Sequence, residues 1–338
     1  RNLRDYPYSS RAKPESRRKI LEEVGEACST CSYLKNSHTM LMGDLPEIDR
    51  YFLLERHLIS QNLLKGDGNQ GIIVGDKEIV SIMINEEDHL RLQSIRSGFQ
   101  IFEAYRLLDR LDDDISRYLD YAFSEEFGYL TSCPTNTGTG LRASVLIHLP
   151  ALVLTRKINE IIHGINQMGL TVRGYYGEGS EVMGNLFQVS NQNTLGQTEV
   201  EILDSLSRIA RQIIDYENQA RDILMKEAKM PVYDKIWRAY GILSNAYVIS
   251  AQEVRNLLSA VRLGLSLGII TNVSVAVLNQ ILIYTQKAHI QKLSGKLMDQ
   301  ADELGSTKVT VYYETVPERK PERAVEDLGY ILDKYGSR

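Results

Sequence analysis

The stretch Gly128-Tyr-Leu-Thr-Ser-Cys-Pro-Thr-Asn-Thr-Gly-Thr-Gly-Leu-Arg-Ala-Ser-Val145 starts as a short apolar run, breaks at Cys133-Pro134, turns through Gly138-Thr139-Gly140 and re-enters an apolar segment, Leu141 to Leu149. Glycines permit positive φ and let a backbone approach a ligand closely, because no Cβ intervenes. Arg142, just inside the apolar segment, offers a planar fork of donors suited to phosphate oxygens. The turn also carries a lone thiol, Cys133, which gains reactivity only where its surroundings favour the thiolate. A phosphate site is one reading of these residues; a tight turn with a surface arginine is the other.

The flanking chain supplies matching groups. Gly71 to Ile84 holds two β-rich runs around Gly75-Asp76-Lys77, a hairpin signal. The second run ends in Asn85-Glu-Glu-Asp-His-Leu-Arg91, where ionisable side chains follow an apolar strand. Leu170 to Arg173 reads as a further strand, entering the glycine-rich loop Gly174 to Glu181 with Glu178 and Glu181; Asn185 to Ser190 reads as the next. Arg91, Arg142 and Arg173 thus stand at predicted strand edges, with Glu87 and Glu178 in comparable places. Three converging guanidinium groups would neutralise a triphosphate and the charge that develops in phosphoryl transfer. Two carboxylates would hold a cation or take a proton. The set points to a kinase whose acceptor is itself cationic. Neither a G-x-x-x-x-G-K-[ST] loop nor a protein-kinase glycine loop with its lysine is present.

Helical patterns surround these strands. Apolar spacing predicts helices over Glu47–His57 and Phe99–Phe123, and Pro150 suits the first turn of a helix running to Met168. Thr198-Glu-Val-Glu201 and Ser250-Ala-Gln-Glu253 are capping boxes, and from Pro231 the pattern is helical throughout. Arg1 to Lys19 reads as irregular or weakly helical, and Asp112-Asp113-Asp114 as a solvated helix face, since successive helix residues do not face one another. The expected fold is α+β, an antiparallel sheet flanked by helices, with a C-terminal all-helical domain. A boundary near Met230 divides it into 1–230, 231–300 and a divergent tail, 301–338, with strand-like 309–313, a short helix over 325–335 and no evident site.

Composition bounds the class. The 338 residues suffice for about two domains. They are 43% apolar and 25% charged, an ordinary globular balance. No apolar run has the roughly 18 residues of a membrane span, and the start shows no secretory pattern. Three cysteines, an odd number, argue against a disulfide framework and for a cytoplasmic setting. Cys28 and Cys31 form a C-x-x-C without the further ligands zinc requires, and read as two ordinary thiols. A net charge of −5 argues against direct nucleic-acid binding.

Several motifs together resemble those of the phosphagen (guanidino) kinases. They are Asn85–Arg91, Cys133–Val145, Arg173 with Glu178, and Gln188-Val-Ser-Asn-Gln-Asn-Thr-Leu-Gly196, in matching order and spacing. Within that superfamily Tyr129-Leu-Thr-Ser-Cys-Pro134, His148-Leu-Pro-Ala-Leu-Val-Leu-Thr155, Tyr176–Glu181, Glu55-Arg-His-Leu-Ile-Ser60 and the helical part to Lys292, including Val261–Gly268, are most similar to the bacterial protein-arginine kinases. The resemblance covers residues 40 to 295. It implies that Arg91, Arg142 and Arg173 bind ATP phosphates bridged by Mg²⁺. It also implies that Glu87 is the catalytic base, that Glu86, Glu87 and Glu178 receive the acceptor guanidinium, and that Cys133 lies against the reacting nitrogen as a thiolate. The implied product is phosphoarginine on a protein, a tag for the ClpC–ClpP protease that also inactivates a CtsR-type heat-shock repressor. A McsA-type activator and a homodimer belong to the same picture. Two departures qualify it. Arg1-Asn2-Leu3 looks like the downstream end of a Ser-Ser-Arg-x-Arg motif whose two arginines also grip phosphate, so a feeble enzyme is expected of the chain as written. The family's terminal Arg-Asp-x-x-Arg-Ala stretch has no equivalent after Leu297-Met298-Asp299, which puts phosphoarginine sensing in doubt. The alternatives are a small-molecule guanidino kinase, which the short N-terminal region argues against, and a pseudo-kinase or adaptor, which Glu87, Cys133 and Glu178 oppose.

Overall fold

The computed structural model describes residues 1–174 and 184–294. Helix α1 (Pro14–Thr30) opens with its proline in the first turn, where no amide partner is lost, and buries Ile20, Val24, Ala27 and Cys28. Arg1 to Lys19 is therefore only partly irregular. Next come β1 (His38–Leu41), α2 (Glu47–Glu55), α3 (Gln61–Leu64), β2 (Gly71–Val74), β3 (Val80–Ile84) and β4 (Leu90–Ser94). The four strands form an antiparallel meander in the order β1-β2-β3-β4.

The expected hairpin is β2–β3, with Ile72 opposite Met83 and Ile73 opposite Ile82. Both strands are buried along their whole length because helices cover both faces. Ile73, Ile82 and Ile84 pack with α1 and with Leu111 and Ile115. Ile72, Val74 and Met83 pack with Leu53 and Leu63 on the other side. Alternation of side chains along a strand produces these two layers. Strand β4 was not anticipated; Asn85–His89 is the connection between β3 and β4, entered through Asn85 at φ 57°.

Helix α4 (Ile101–Ser116) is shorter than the predicted Phe99–Phe123 and buries Leu111 and Ile115. Its acidic run is not a uniformly solvated face: Arg1 Nε and Nη2 donate to Asp112 Oδ2 at 2.9 and 2.7 Å. A small ladder, β5 (Phe123–Ser124) with β6 (Gly128–Tyr129), leads into the central loop. The predicted Pro150–Met168 helix is two helices, α5 (Pro150–Leu154) and α6 (Ile158–Gln167), parted at Arg156, which adopts φ 61°. Strand β7 (Ser144–His148) precedes α5; β8 (Leu170–Arg173) and β9 (Leu186–Asn191) follow α6 and complete an antiparallel sheet in the order β7-β9-β8.

Helix α7 (Glu199–Glu227) starts at the capping box foreseen at Thr198–Glu201, and buries Ile202, Leu203, Leu206, Ile209, Ala210 and Ile213. Seven helices thus precede Met230 among the described residues, so that part is mixed and not mostly strand. Helices α8 (Lys229–Asn245), α9 (Ala251–Ser266), α10 (Val275–Tyr284) and α11 (Lys287–Ser294) make up the described C-terminal part. Ser250 caps α9 by accepting from the Glu253 amide. The α+β architecture with antiparallel sheets and a helical C-terminal part is thus present, with the strands divided among three sheets. Segments 301–338, including the predicted strand and helix there, lie outside the described residues.

Polar contacts join the parts around Glu55 and around Ser259, and Lys292 Nζ pairs with Asp49 at 2.6 Å. Glu55, ending α2, accepts from the Ala288 and His289 amides at 2.8 and 3.1 Å, and its Oε2 lies 2.7 Å from His289 Nδ1. A carboxylate at the start of α11 meets unpaired amides and the positive end of the helix. At the Ser259 contact, His148 Nε2 lies 2.8 Å from Ser259 Oγ on α9. Burial, with Arg262 and Arg221 nearby, pushes the His148 imidazole down to about 3. The neutral ring is therefore the folded form at ordinary pH, and protonation favours the unfolded chain. Stability carried by His148 is full above the ordinary histidine value of 6.5 and is lost as pH falls toward 3. Between pH 7 and pH 5 this should remove about 1–2 kcal/mol. Thermal unfolding of the protein and of His148→Gln across that range checks it, the variant showing a flatter dependence.

Candidate active site

Residues 130 to 143 connect the small β5–β6 ladder to β7, and side chains from distant segments hold this connection in place. Asp88 Oδ1 accepts from the Ser132 amide at 2.7 Å and from Asn2 Nδ2 at 2.7 Å. Ser132 Oγ donates to the Glu87 carbonyl at 2.9 Å. These bonds fasten the Cys133 turn to the loop between β3 and β4. Cys133 is half-buried, and its Sγ lies 3.0 Å from Thr135 Oγ1. Arg1 Nη1 donates to Thr139 O at 2.7 Å while its guanidinium stacks over the Tyr129 ring at 3.4 Å.

The segment Gln188–Gly196 grips the other half of the loop. Asn191 Oδ1 accepts from the Ala143 amide at 2.8 Å and its Nδ2 donates to Leu141 O at 3.0 Å, so the peptide groups on both sides of Arg142 are fixed. Thr194 Oγ1 reaches the carbonyls of Thr135 and Thr137 at 3.0 and 2.7 Å. Gly138 sits at φ 116°, and a Cβ there would lie 2.4 Å from Thr194 O. Only glycine allows this approach.

The β7-β9-β8 sheet carries or borders two of the predicted phosphate ligands. Val145, Ile147, Val172, Phe187 and Val189 face the core. By alternation Ser144, Leu146, Thr171, Arg173, Leu186, Gln188 and Ser190 share the opposite face, with Arg142 just before β7. Arg173 is paired with Gln188 across the strands, Gln188 Nε2 donates to Ser144 Oγ at 2.9 Å, and Arg142 Nη2 lies 3.4 Å from Ser190 Oγ. Arg91 belongs to the other sheet, on β4 opposite Met83, with its side chain about half exposed.

Of the carboxylates, Glu87 is exposed at the tip of the β3–β4 connection. Glu86 is not beside it in the open. Its side chain is 1% exposed, with Oε1 accepting from Ser60 Oγ at 2.7 Å and Oε2 accepting from the Glu87 amide at 2.9 Å. Glu86, expected to receive the acceptor guanidinium, thus has its oxygens directed at Ser60 and the Glu87 amide, with Arg91 Nη1 3.7 Å from Oε2. Glu178 and Glu181 lie outside the described residues. His89, fully buried, is pinned by the Leu3 amide on Nδ1 at 3.0 Å and by Pro7 O near Nε2 at 2.9 Å. Burial holds its imidazole below the ordinary value. Sequence reasoning missed Asp88, Asn191 and Thr194 as loop anchors and Ser60 as the partner of Glu86, although all four fall inside motifs it had marked.

Replacing Asn191 with alanine leaves the Ala143 amide and Leu141 carbonyl without their partner, at a cost of about 1–3 kcal/mol. Asn191→Ala should lower the thermal midpoint clearly, and an unchanged midpoint would show that Asn191 does not hold the loop.

Comparison with known proteins bears on this arrangement. The ATP:guanido phosphotransferase C-terminal catalytic domain matches residues 19–220, and the protein-arginine kinase McsB C-terminal domain matches residues 229–307. The chain is 49% identical over 296 residues to the protein-arginine kinase of Halothermothrix orenii, covering 88% of this chain and 84% of that one. It is 50% identical over 254 residues to that of Bacillus subtilis, covering 75% and 70%. Among solved structures it is similar to the duplicated taurocyamine kinase of Schistosoma mansoni with bound transition state analog components. That match has a TM-score of 0.60 at 26% identity, and covers 65% of this chain and 32% of that one. A lombricine kinase shares the fold at a TM-score of 0.59 and 24% identity, covering 64% of each chain. The chain belongs to the protein-arginine kinases of the ATP:guanido phosphotransferase family.

Proposed function

We infer that this chain transfers the γ-phosphoryl group of Mg-ATP to arginine side chains of proteins. The observation that supports the reading is the fastening of the Cys133 turn to the Glu87–Asp88 segment through Ser132, which ties the segment carrying the thiol to the one carrying the proposed base. Membership of the protein-arginine kinases supports the choice of acceptor. Arg142, just before β7, Arg173, on β8, and Arg91, on the neighbouring sheet, are the proposed phosphate ligands; their charges would offset the triphosphate and the charge that grows on the transferred group. Among the described residues no group of three or more His, Cys, Asp or Glu is disposed to hold a metal ion. A Mg²⁺ ion carried on the phosphate oxygens of the nucleotide needs no such group, and would supply further charge neutralisation there.

A guanidinium has a pKa above 12 and delocalised lone pairs, so it is a poor nucleophile. The proposed role of Glu87 is to orient the acceptor guanidinium, localise its charge and take its proton. The nitrogen forms its bond to the γ-phosphorus as the bond to the β-phosphate oxygen breaks and ADP leaves. Glu178 is the proposed partner carboxylate. Thr135 Oγ1 can donate to Cys133 Sγ, and the sulfur is proposed to face the reacting nitrogen. The catalytic unit in this proposal is 1–230, with 231–300 as a helical domain. Marking of proteins for ClpC–ClpP, control of a CtsR-type repressor, a McsA-type activator, homodimerisation and cytoplasmic action extend the same proposal by family resemblance. Among the described residues no helix is long and apolar enough to cross a membrane.

Incubation with Mg-ATP and an arginine-rich protein should yield acid-labile phosphate on arginine by mass spectrometry. Glu87→Gln should reduce it by at least about a hundredfold, the usual scale of a general base. Labelling of free arginine in preference to protein would favour the small-molecule reading, and labelling that persists in Glu87→Gln would remove Glu87 from the mechanism.

A further inference from the structure

We propose that Ser60 is a positioning residue for the phosphoryl transfer, setting the catalytic carboxylate of Glu87 through Glu86. The proposal rests on the kinase reading above. Ser60 precedes α3, and its Oγ accepts from the Leu63 amide at 3.1 Å, capping that short helix. Its single hydroxyl proton goes to Glu86 Oε1 at 2.7 Å. The other oxygen of Glu86 accepts from the amide of Glu87 at 2.9 Å and lies 3.7 Å from Arg91 Nη1. The carbonyl of Glu87 is taken by Ser132. The backbone of Glu87 is thus held on its amide side by the Ser60–Glu86 pair and on its carbonyl side by the Cys133 turn.

The chemistry makes the hydroxyl consequential. A carboxylate 1% exposed must have its oxygens met inside the protein. Without the Ser60 hydroxyl, Glu86 loses its hydrogen bond to Oε1 and is freer to rotate toward Arg91, releasing the Glu87 amide. The proposed base would then lose its setting, since misplacement by an ångström is costly at a reacting centre. The same segment carries Glu55, on which α11 is seated, so the base is tied to the part of the fold that receives the C-terminal helix.

The test compares Ser60→Ala, Ser60→Thr, Glu86→Gln and the double variant Ser60→Ala/Glu86→Gln, assayed with Mg-ATP and an arginine-bearing protein, with thermal midpoints recorded alongside. Ser60→Ala should lower kcat about tenfold, the scale of one hydrogen bond to a charged group, while KM for Mg-ATP stays within about twofold. Ser60→Thr retains both cap and donor, and should return kcat to within about threefold of the parent. Adding Ser60→Ala to Glu86→Gln should cost little more, because the two share one path. A fall in midpoint with unchanged kcat would reduce Ser60 to a helix cap and overturn the proposal, as would independent, multiplicative effects. Absence of phosphoarginine with the parent protein is a failure of the kinase reading instead. The Ser60–Glu86 link is then read from the midpoints, where additive losses would refute it.

Discussion

The loop from Leu130 to Ala143 has little ladder of its own, and its peptide groups find their partners among side chains. Asp88 takes the Ser132 amide, Asn191 takes the Ala143 amide and gives to Leu141 O, Thr194 serves the carbonyls of Thr135 and Thr137, and Arg1 reaches Thr139 O. A backbone group left unpaired away from water costs about as much as a lost hydrogen bond, so the loop's shape is fixed by the sites of these donors and acceptors. Asp88 sits in the connection between β3 and β4, while Asn191 ends β9 and Thr194 follows it. The loop therefore couples the two sheets: the Asn85–His89 connection on one side and the end of β9 on the other are held to a common element.

The scaffold beneath makes this possible. Strands β2 and β3 are covered on both faces, so the β3–β4 connection at their end rises from a fully packed base. The three-stranded sheet buries one face against α7, and the other carries Ser144, Leu146, Arg173 and Gln188. Glu217, itself buried, anchors the start of α5 by accepting from the Ala151 and Leu152 amides while pairing with Arg221 on its own helix. Rigid elements thus carry the proposed site residues on their ends and edges, as would suit a reaction driven by alignment and charge.

Much of this was legible from residue type and spacing. The hairpin at Gly75–Lys77, the helix opened by Thr198–Glu201, and Arg142 beside a glycine turn all follow local rules. The burial of Glu86 was not legible, because Asn85 to His89 bend between two strands and alternation along a strand does not assign their faces. Its partner Ser60 was not readable, because nothing local ties a helix cap to a carboxylate far along the chain. Arg156 parts two helices without glycine or proline to announce it, and Asp112 owes its setting to Arg1. Such failures share one cause, long-range pairing that overrides local pattern.

In the proposed reaction three guanidinium groups meet one nucleotide while Glu87 meets an arginine. A crystal structure with Mg-ADP and an arginine-bearing peptide tests it most directly. Arg91, Arg142 and Arg173 should each lie within hydrogen-bonding distance of the nucleotide phosphates, and the Glu87 carboxylate should lie on the peptide guanidinium. A nucleotide held without Arg91, or a guanidinium seated away from Glu87, would contradict it.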